Sequence, residues 1–299
     1  MKQITDDELI EELKLRFQVR QQTVFELTKL SDELKTVNRK LSESEAMKSH
    51  FLANIRNEII NPFSSIIGLS RHIINVKKED WKKVITMASL IHSEAFELNF
   101  QLKNIFAAAE IEAGTIEAQY ARVSISGIIN EVIENFRPLL KNKSMTIYFD
   151  NELDNGTEYV FITDPQKLEL VVSNILKNAV EFSLENSDIR IRTWINDKHE
   201  LCISIKDNGI GIARGDIDKI FDRFVRVNNT INSKIKGHGL GLSVTRSLLE
   251  FMNGTIEVES ESGVGSVFTV KLVKNDNVEL LEGITAKSNE MFFEGGDKF

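Results

Sequence analysis

A single cysteine, Cys202, occurs in 299 residues. No disulfide can close within the chain, which fits a reducing, cytoplasmic setting. Proline is nearly as scarce, with three residues, and its absence elsewhere favours long helices. Basic residues are outnumbered 37 to 45, leaving a net charge of -8. That balance argues against a nucleic-acid-binding surface. No run of about 18 apolar residues appears, so no membrane span is expected. The opening "MKQITDDELIEEL" lacks the apolar centre of a secretory signal. Apolar residues themselves are plentiful, at 41%, enough for a sizeable core. The length suggests about two domains.

Residues 5–50 are polar and helix-prone. Leu27, Leu30, Leu34, Val37 and Leu41 alternate steps of three and four, the spacing of a coiled-coil seam. The seam leads into "FLANIRNEIINPFSSIIG" (51–68), where Leu52, Ile55, Ile59, Phe63 and Ile66 continue the helical period. Pro62 is expected to bend or break this helix. Beside it stand two amides and a carboxylate: Asn57, Glu58 and Asn61. A second helix is expected over 82–112, with Val84, Ala88, Ile91, Ala95, Leu98, Leu102 and Ile105 as its stripe. Two such antiparallel hairpins bury their stripes by dimerising into a four-helix bundle.

The texture changes near Gly114, a suitable helix stop. A helix in "SGIINEVIENFRPLL" and strands in "MTIYFD" and "YVFIT" follow. Asp164 and Pro165 read as the N-cap and first residue of the helix "QKLELVVSNILKNAVEF". Strands "IRIRTWI" and "ELCISIK", a glycine-rich region, the helix "LSVTRSLLEFM" and strands "TIEVES" and "SVFTVKL" complete an antiparallel-looking sheet with helices, a two-layer α/β sandwich. The fold class is therefore α+β. Its domains are a coiled-coil helix (1–45), a dimerising hairpin (46–120), an α/β domain (121–274) and a flexible tail (275–299).

Four stretches of the α/β domain converge on one chemistry. "NILKNA" sets Asn174 and Asn178 one helical turn apart, where two amide oxygens suit a hydrated Mg²⁺. "DNGIGI" places Asp207 at a strand end, with Gly209 and Gly211 after it. The carboxylate suits an exocyclic amine such as adenine's, and the glycines let a flat base approach the backbone. "GHGLGL" supplies Gly237, Gly239 and Gly241 before a helix whose N-terminus suits phosphate. "SGVGSVFTV" sets Gly263 and Gly265 in a turn between strands. Between the second and third stretches, "KIFDRFVRVNNTINSKIK" suits a mobile lid. Its Arg223, Arg226, Lys234 and Lys236 are candidate phosphate contacts.

In this order and spacing the motifs resemble the asparagine, glycine and phenylalanine boxes of sensor histidine kinases, within the wider family of gyrase, Hsp90 and MutL. The resemblance spans about residues 45–274. It implies a Bergerat-type ATP-binding fold, with Asp207 on adenine and Asn178 and Asn174 at Mg²⁺. It further implies a homodimer and a response-regulator receiver domain, or another histidine kinase, as partner on a separate chain. Gyrase-like ATPases carry a general-base glutamate at the position of Asn174. An amide cannot take a proton from water at neutral pH, so rapid hydrolysis is not expected. Glu181 stands where such kinases often carry a basic residue, and would repel phosphate unless it points away.

"FLANIRNEIINPF" resembles the family's phosphoacceptor stretch, but Asn57 stands at the histidine position. An amide nitrogen has a delocalised lone pair and cannot attack a γ-phosphate. His50 lies seven residues earlier on nearly the same helix face but without Glu58 beside it; His72, His92 and His199 have no supporting context, and His238 lies in the phosphate loop. The resemblance gives Glu58 the role of the acid beside the acceptor, and Asn61 that of a residue positioning water for receiver dephosphorylation. Three readings stand: a regulatory pseudokinase binding ATP, a receiver-domain phosphatase, or an active kinase carrying an engineered Asn57. A kinase phosphorylating a partner's histidine in trans is a further alternative. Arg56 and Ile60 also depart from the family pattern, which favours natural drift.

Overall fold

A computed structural model of the chain describes residues 6–76, 80–153, 159–225 and 239–274. Two compact units divide between Arg56 and Asn57. The first consists of the N-terminal part of α1, a helix spanning Asp6–Ile74. Along it Leu27, Leu30, Leu34, Val37 and Leu41 are all 57–63% exposed.

In the second unit α1 continues through Pro62 without breaking, so of the expected bend or break the break does not occur. The proline removes one donor to the carbonyl four residues back. The apolar period persists on both sides of it, and Pro62 itself is buried. Helix α2 spans Trp81–Ala113 and ends at Gly114 in the left-handed conformation, φ 66°. Its stripe residue Leu98 is buried, but so are Phe100, Gln101, Asn104 and Ala107 on another face. That second face packs against the α/β domain.

The α/β domain opens with β1 (Ala121–Ser124), a short strand that sequence reasoning missed. Ser124 caps α3 (Ile125–Asn142), its hydroxyl accepting from Gly127 N. Ile129, Val132, Phe136 and Leu140 form that helix's buried stripe. Strand β3 (Val160–Thr163) pairs with β1. The main sheet contains β2 (Thr146–Asn151), β4 (Asp188–Ile195), β5 (Leu201–Lys206), β6 (Gly254–Glu261) and β7 (Gly265–Leu272). Their order is β2-β4-β5-β7-β6. β2 and β4 run parallel, so the sheet is mixed rather than antiparallel throughout. Helix α4 (Pro165–Phe182) lies in the crossover that parallel neighbours require.

Ile189, Ile191, Leu201, Ile203, Ile205 and Val270 are 0–1% exposed on the covered face of the sheet. Against it pack α3, α4 and α5 (Gly241–Phe251). Tyr148, Arg190, Arg192 and Glu257 lie exposed on the opposite face. These are the two expected layers.

Asp164 caps α4 as expected. Its Oδ1 accepts from Gln166 N at 3.1 Å and Lys167 N at 3.0 Å. Its Oδ2 accepts from Gln119 N at 2.8 Å and Lys167 Nζ at 2.7 Å. Asp164 itself is 1% exposed, so its carboxylate relies on these four donors rather than on water. Asp164→Ala should therefore cost roughly 3 kcal/mol, a lost cap plus the lost bonds to Gln119 N and Lys167 Nζ. Calorimetry should show this as a drop of roughly 6–12 °C in melting temperature. Asp164→Asn, which keeps an acceptor, should cost less.

Candidate functional site

Helix α4 is the wall on which the site is built. Apart from Lys177 and Asn178, every residue from Leu170 to Val180 is buried, because sheet, α3 and α5 surround it. From its middle, Asn174 Nδ2 donates to Gly241 O at 3.1 Å and to Thr245 Oγ1 at 3.2 Å. These bonds fix the first turn of α5, which no side chain caps. Its N-terminal N–H groups and dipole make that turn suited to an anion. Asn174 Oδ1 is buried with no hydrogen-bond partner among the described residues. This orphan acceptor and the half-buried Asn178, one turn further on, are the two amides that would hold a hydrated cation.

The C-terminal end of α4 holds the loop after β5. Phe182 O accepts from Ile210 N at 3.2 Å, and Ser183 bridges to Gly209. A Cβ at Gly209 would lie 2.4 Å from Phe182 O, and one at Gly211 would lie 1.9 Å from Glu261 O. These two glycines therefore serve close contacts between protein backbones. Gly263 and Gly265 lie in the β6–β7 turn, where Gly263 N donates to Ile210 O at 2.7 Å.

Asp207 sits at the end of β5, 4% exposed. Its Oδ1 accepts from Gly209 N at 2.9 Å and Ser266 N at 3.2 Å. Oδ2 has no donor among the described residues. Burial pushes the carboxyl from 3.8 up to about 6, and the two N–H groups oppose that shift. The result is an oriented carboxylate with one oxygen left to accept. A concavity of about 650 Å³ runs from Asp207 along Lys206, Arg214, Glu259 and Val267, beside the β6–β7 turn. Asn174, Asn178 and Gly241 do not line it.

Gly239, at φ +68°, accepts from Phe224 N at 3.0 Å. Arg223 is exposed. Arg246 of α5 stacks 3.8 Å over Phe221, a contact with no local signal in the sequence. Arg226, Lys234, Lys236, Gly237 and His238 fall outside the described residues, as does the tail 275–299.

Residues 163–276 match the family of histidine kinase-, DNA gyrase B- and HSP90-like ATPases. The chain is 28% identical over 88% of its length to the autoinducer 2 sensor kinase/phosphatase LuxQ of Vibrio parahaemolyticus, covering 31% of that protein. It is 28% identical over 82% of its length to the sensor histidine kinase RcsC of Escherichia coli, covering 25%. Full-length ShkA in complex with AMPPNP superposes with a TM-score of 0.53 at 25% identity, over 74% of this chain and 45% of that one. The chain carries a sensor-histidine-kinase ATPase domain. It spans about a third or less of the two curated relatives, so the domain is identified and the activity of those whole proteins is not carried over.

Within this kinase-type domain Glu181 does not face the site as a free charge. It lies 3.1 Å from Lys177, one turn earlier on α4. Burial raises its carboxyl and Lys177 opposes the rise. Burial acts to lower the Lys177 ammonium, but Glu181 and then Glu97 outweigh it and raise it. Asn57 and Glu58 lie in α1, and Asn61 is exposed on the same helix. Among the described residues, no cluster of His, Cys, Asp and Glu could hold a metal. Nor is any described helix long and apolar enough to cross a membrane.

The raised Asp207 carboxyl fixes the sign of one stability effect. The folded state holds this proton more tightly than the unfolded chain, so the stabilisation is complete below about pH 4 and lost as pH rises through about 6. Asp207→Asn, which keeps an acceptor for both N–H groups, should stabilise the ligand-free protein at pH 7. The gain should reach at most about 3 kcal/mol, given 1.36 kcal/mol per pKa unit, and should vanish near pH 4. Paired melting curves from pH 4 to 7 measure the difference.

Proposed function

We propose that the chain is a dimeric, histidine-kinase-like signalling protein that binds ATP with Mg²⁺ and does not phosphorylate itself at the usual helical position. The observation that carries the nucleotide half is the Asp207 carboxylate, buried and held by two backbone N–H groups with its second oxygen unengaged. An exocyclic amine is the donor such an acceptor suits. Asn174 Oδ1 and Asn178 would receive a hydrated Mg²⁺, whose charge offsets the phosphates. The start of α5 would take the phosphate oxygens. The AMPPNP complex of ShkA supports this reading.

Asn57 carries the other half. Phosphoryl transfer needs little of the protein beyond positioning and charge neutralisation, but it does need a nucleophile. The carboxamide nitrogen has no available lone pair. The exposed Asn61 favours a residual role: its amide can orient water toward the phosphoaspartate of a separate receiver domain. LuxQ, named as both kinase and phosphatase, gives that reading a precedent among similar proteins. The seam Leu27 to Leu41, exposed on a single helix, supports a coiled-coil homodimer.

Two measurements test these claims. Mg-AMPPNP should bind in calorimetry. Asp207→Asn should weaken it at least tenfold, about 1.4 kcal/mol, although the same change stabilises the empty protein. Absence of heat at millimolar nucleotide would remove the nucleotide reading. With radiolabelled ATP and Mg²⁺, the unmodified chain should gain no acid-labile, base-stable phosphate. Asn57→His should restore labelling if the missing nucleophile is the sole defect. Robust labelling of the unmodified chain at any histidine would overturn the pseudokinase reading. In parallel, a phosphorylated partner receiver should lose phosphate faster in the protein's presence, and Asn61→Ala should abolish that gain.

A further inference from the structure

A helix leaves its last four carbonyls to be satisfied from beyond itself. In α4 these belong to Ala179, Val180, Glu181 and Phe182. Ala179 O accepts from Ser183 N of the C-cap at 3.1 Å, and Phe182 O from Ile210 N at 3.2 Å. Val180 O and Glu181 O both accept from Lys143 Nζ, at 2.7 and 2.9 Å. One side chain from the end of α3 therefore holds half of this helix end. The last turn of α4 carries no basic residue of its own, and Glu181 sets a carboxylate at the negative end of the helix dipole. Lys143 supplies the missing cation.

Lys143 is itself fastened. It is the C-cap of α3, and its N–H donates to Leu139 O and Leu140 O at 3.3 and 3.2 Å. Its own carbonyl accepts from Asn186 N at 3.0 Å. The connection 183–186 is thus gripped on one side by the Lys143 ammonium and on the other by the Lys143 backbone. At the first of these grips lie the contacts that hold the loop after β5: Phe182 O with Ile210 N, and the bridge from Ser183 to Gly209. Gly209 N in turn donates to Asp207 Oδ1 at 2.9 Å. A short chain of bonds therefore leads from Lys143 to the buried carboxylate.

We infer that Lys143 is a positioning residue for the nucleotide site, acting through the end of α4 to aim the Asp207 carboxylate at the base. The inference rests on the nucleotide reading above. Without the ammonium, Val180 O and Glu181 O lose their donor, and Val180 is 3% exposed. A stranded carbonyl there favours fraying of the last turn. Phe182 O and Ser183 then loosen their hold on Ile210 and Gly209, and Asp207 keeps only Ser266 N as a fixed donor. The phosphate end of the site is built differently. It hangs on the bonds from Asn174 to Gly241 O and Thr245 Oγ1, about two turns earlier on α4, and loss of Lys143 leaves it in place.

Affinities of the full chain for Mg-AMPPNP test this as a double-mutant cycle. Lys143→Met should weaken binding about fivefold. Lys143→Arg keeps a cation that can donate to two carbonyls and should recover most of the loss. Beside Asp207→Asn, where the base contact is already lost, Lys143→Met should add little. Hydrogen exchange in Lys143→Met should rise at residues 207–211 and stay level at 242–247. Unchanged affinity in Lys143→Met refutes the positioning role while the nucleotide reading stands. So does a loss that persists in full beside Asp207→Asn, which is what general loosening or a charge acting on the phosphates would produce. If Lys143→Met does not fold, Lys143→Gln, which retains an amide donor, runs the same cycle with the same deciding outcomes. Failure of the unmodified chain to bind AMPPNP refutes the nucleotide reading itself and the positioning role with it.

Discussion

The hydrogen bonds from Asn174 to Gly241 O and Thr245 Oγ1 are the constraint on which the site depends. They join the most deeply buried helix of the domain to the uncapped start of α5. Position 174 requires a donor that reaches two acceptors on a neighbouring helix, and the carboxamide supplies it. Among the described residues none satisfies its oxygen. The same group therefore stabilises the scaffold and leaves a polar demand inside it. Stability and site chemistry meet in a single side chain.

From that junction the remaining parts follow in sequence. The end of α4 grips the loop after β5, and that loop grips the β6–β7 turn. The turn in turn supplies the Ser266 N–H that orients Asp207. Each link is a backbone contact, and each helps define where the buried carboxylate points. Burial raises the cost of ionising Asp207, and the two N–H donors return part of it. The residue sits on a compromise between packing and readiness to accept a donor.

Much of this was legible in the sequence because it depends on short spacing. Asp164 before Pro165, Gly114 after a helical stripe, and Asp207 with its glycines two and four residues later are local patterns with local causes. What escaped was long-range. β1 has only the four residues Ala121–Ser124, and its partner lies about forty positions away. The parallel pairing of β2 with β4 is fixed by a crossover, not by either strand's composition. Lys177 gave no sign that it would meet Glu97, eighty residues earlier. Lys177 stands one helical turn before Glu181, and that ion pair was within reach of the same local spacing rules. Pro62 shows the opposite case, where a local rule allowed a break and the surrounding helix stays continuous.

The glycines after Asp207 have a meaning for descent. A side chain at Gly209 or Gly211 would collide with the carbonyls of Phe182 or Glu261. Selection for a folded domain is enough to preserve both positions, whether or not the protein still transfers phosphate. A lineage that abandons catalysis keeps these glycines as long as it keeps its shape, whereas an acceptor nucleophile is preserved only by its use. Glycines kept by shape alone therefore carry no record of whether phosphate is still transferred.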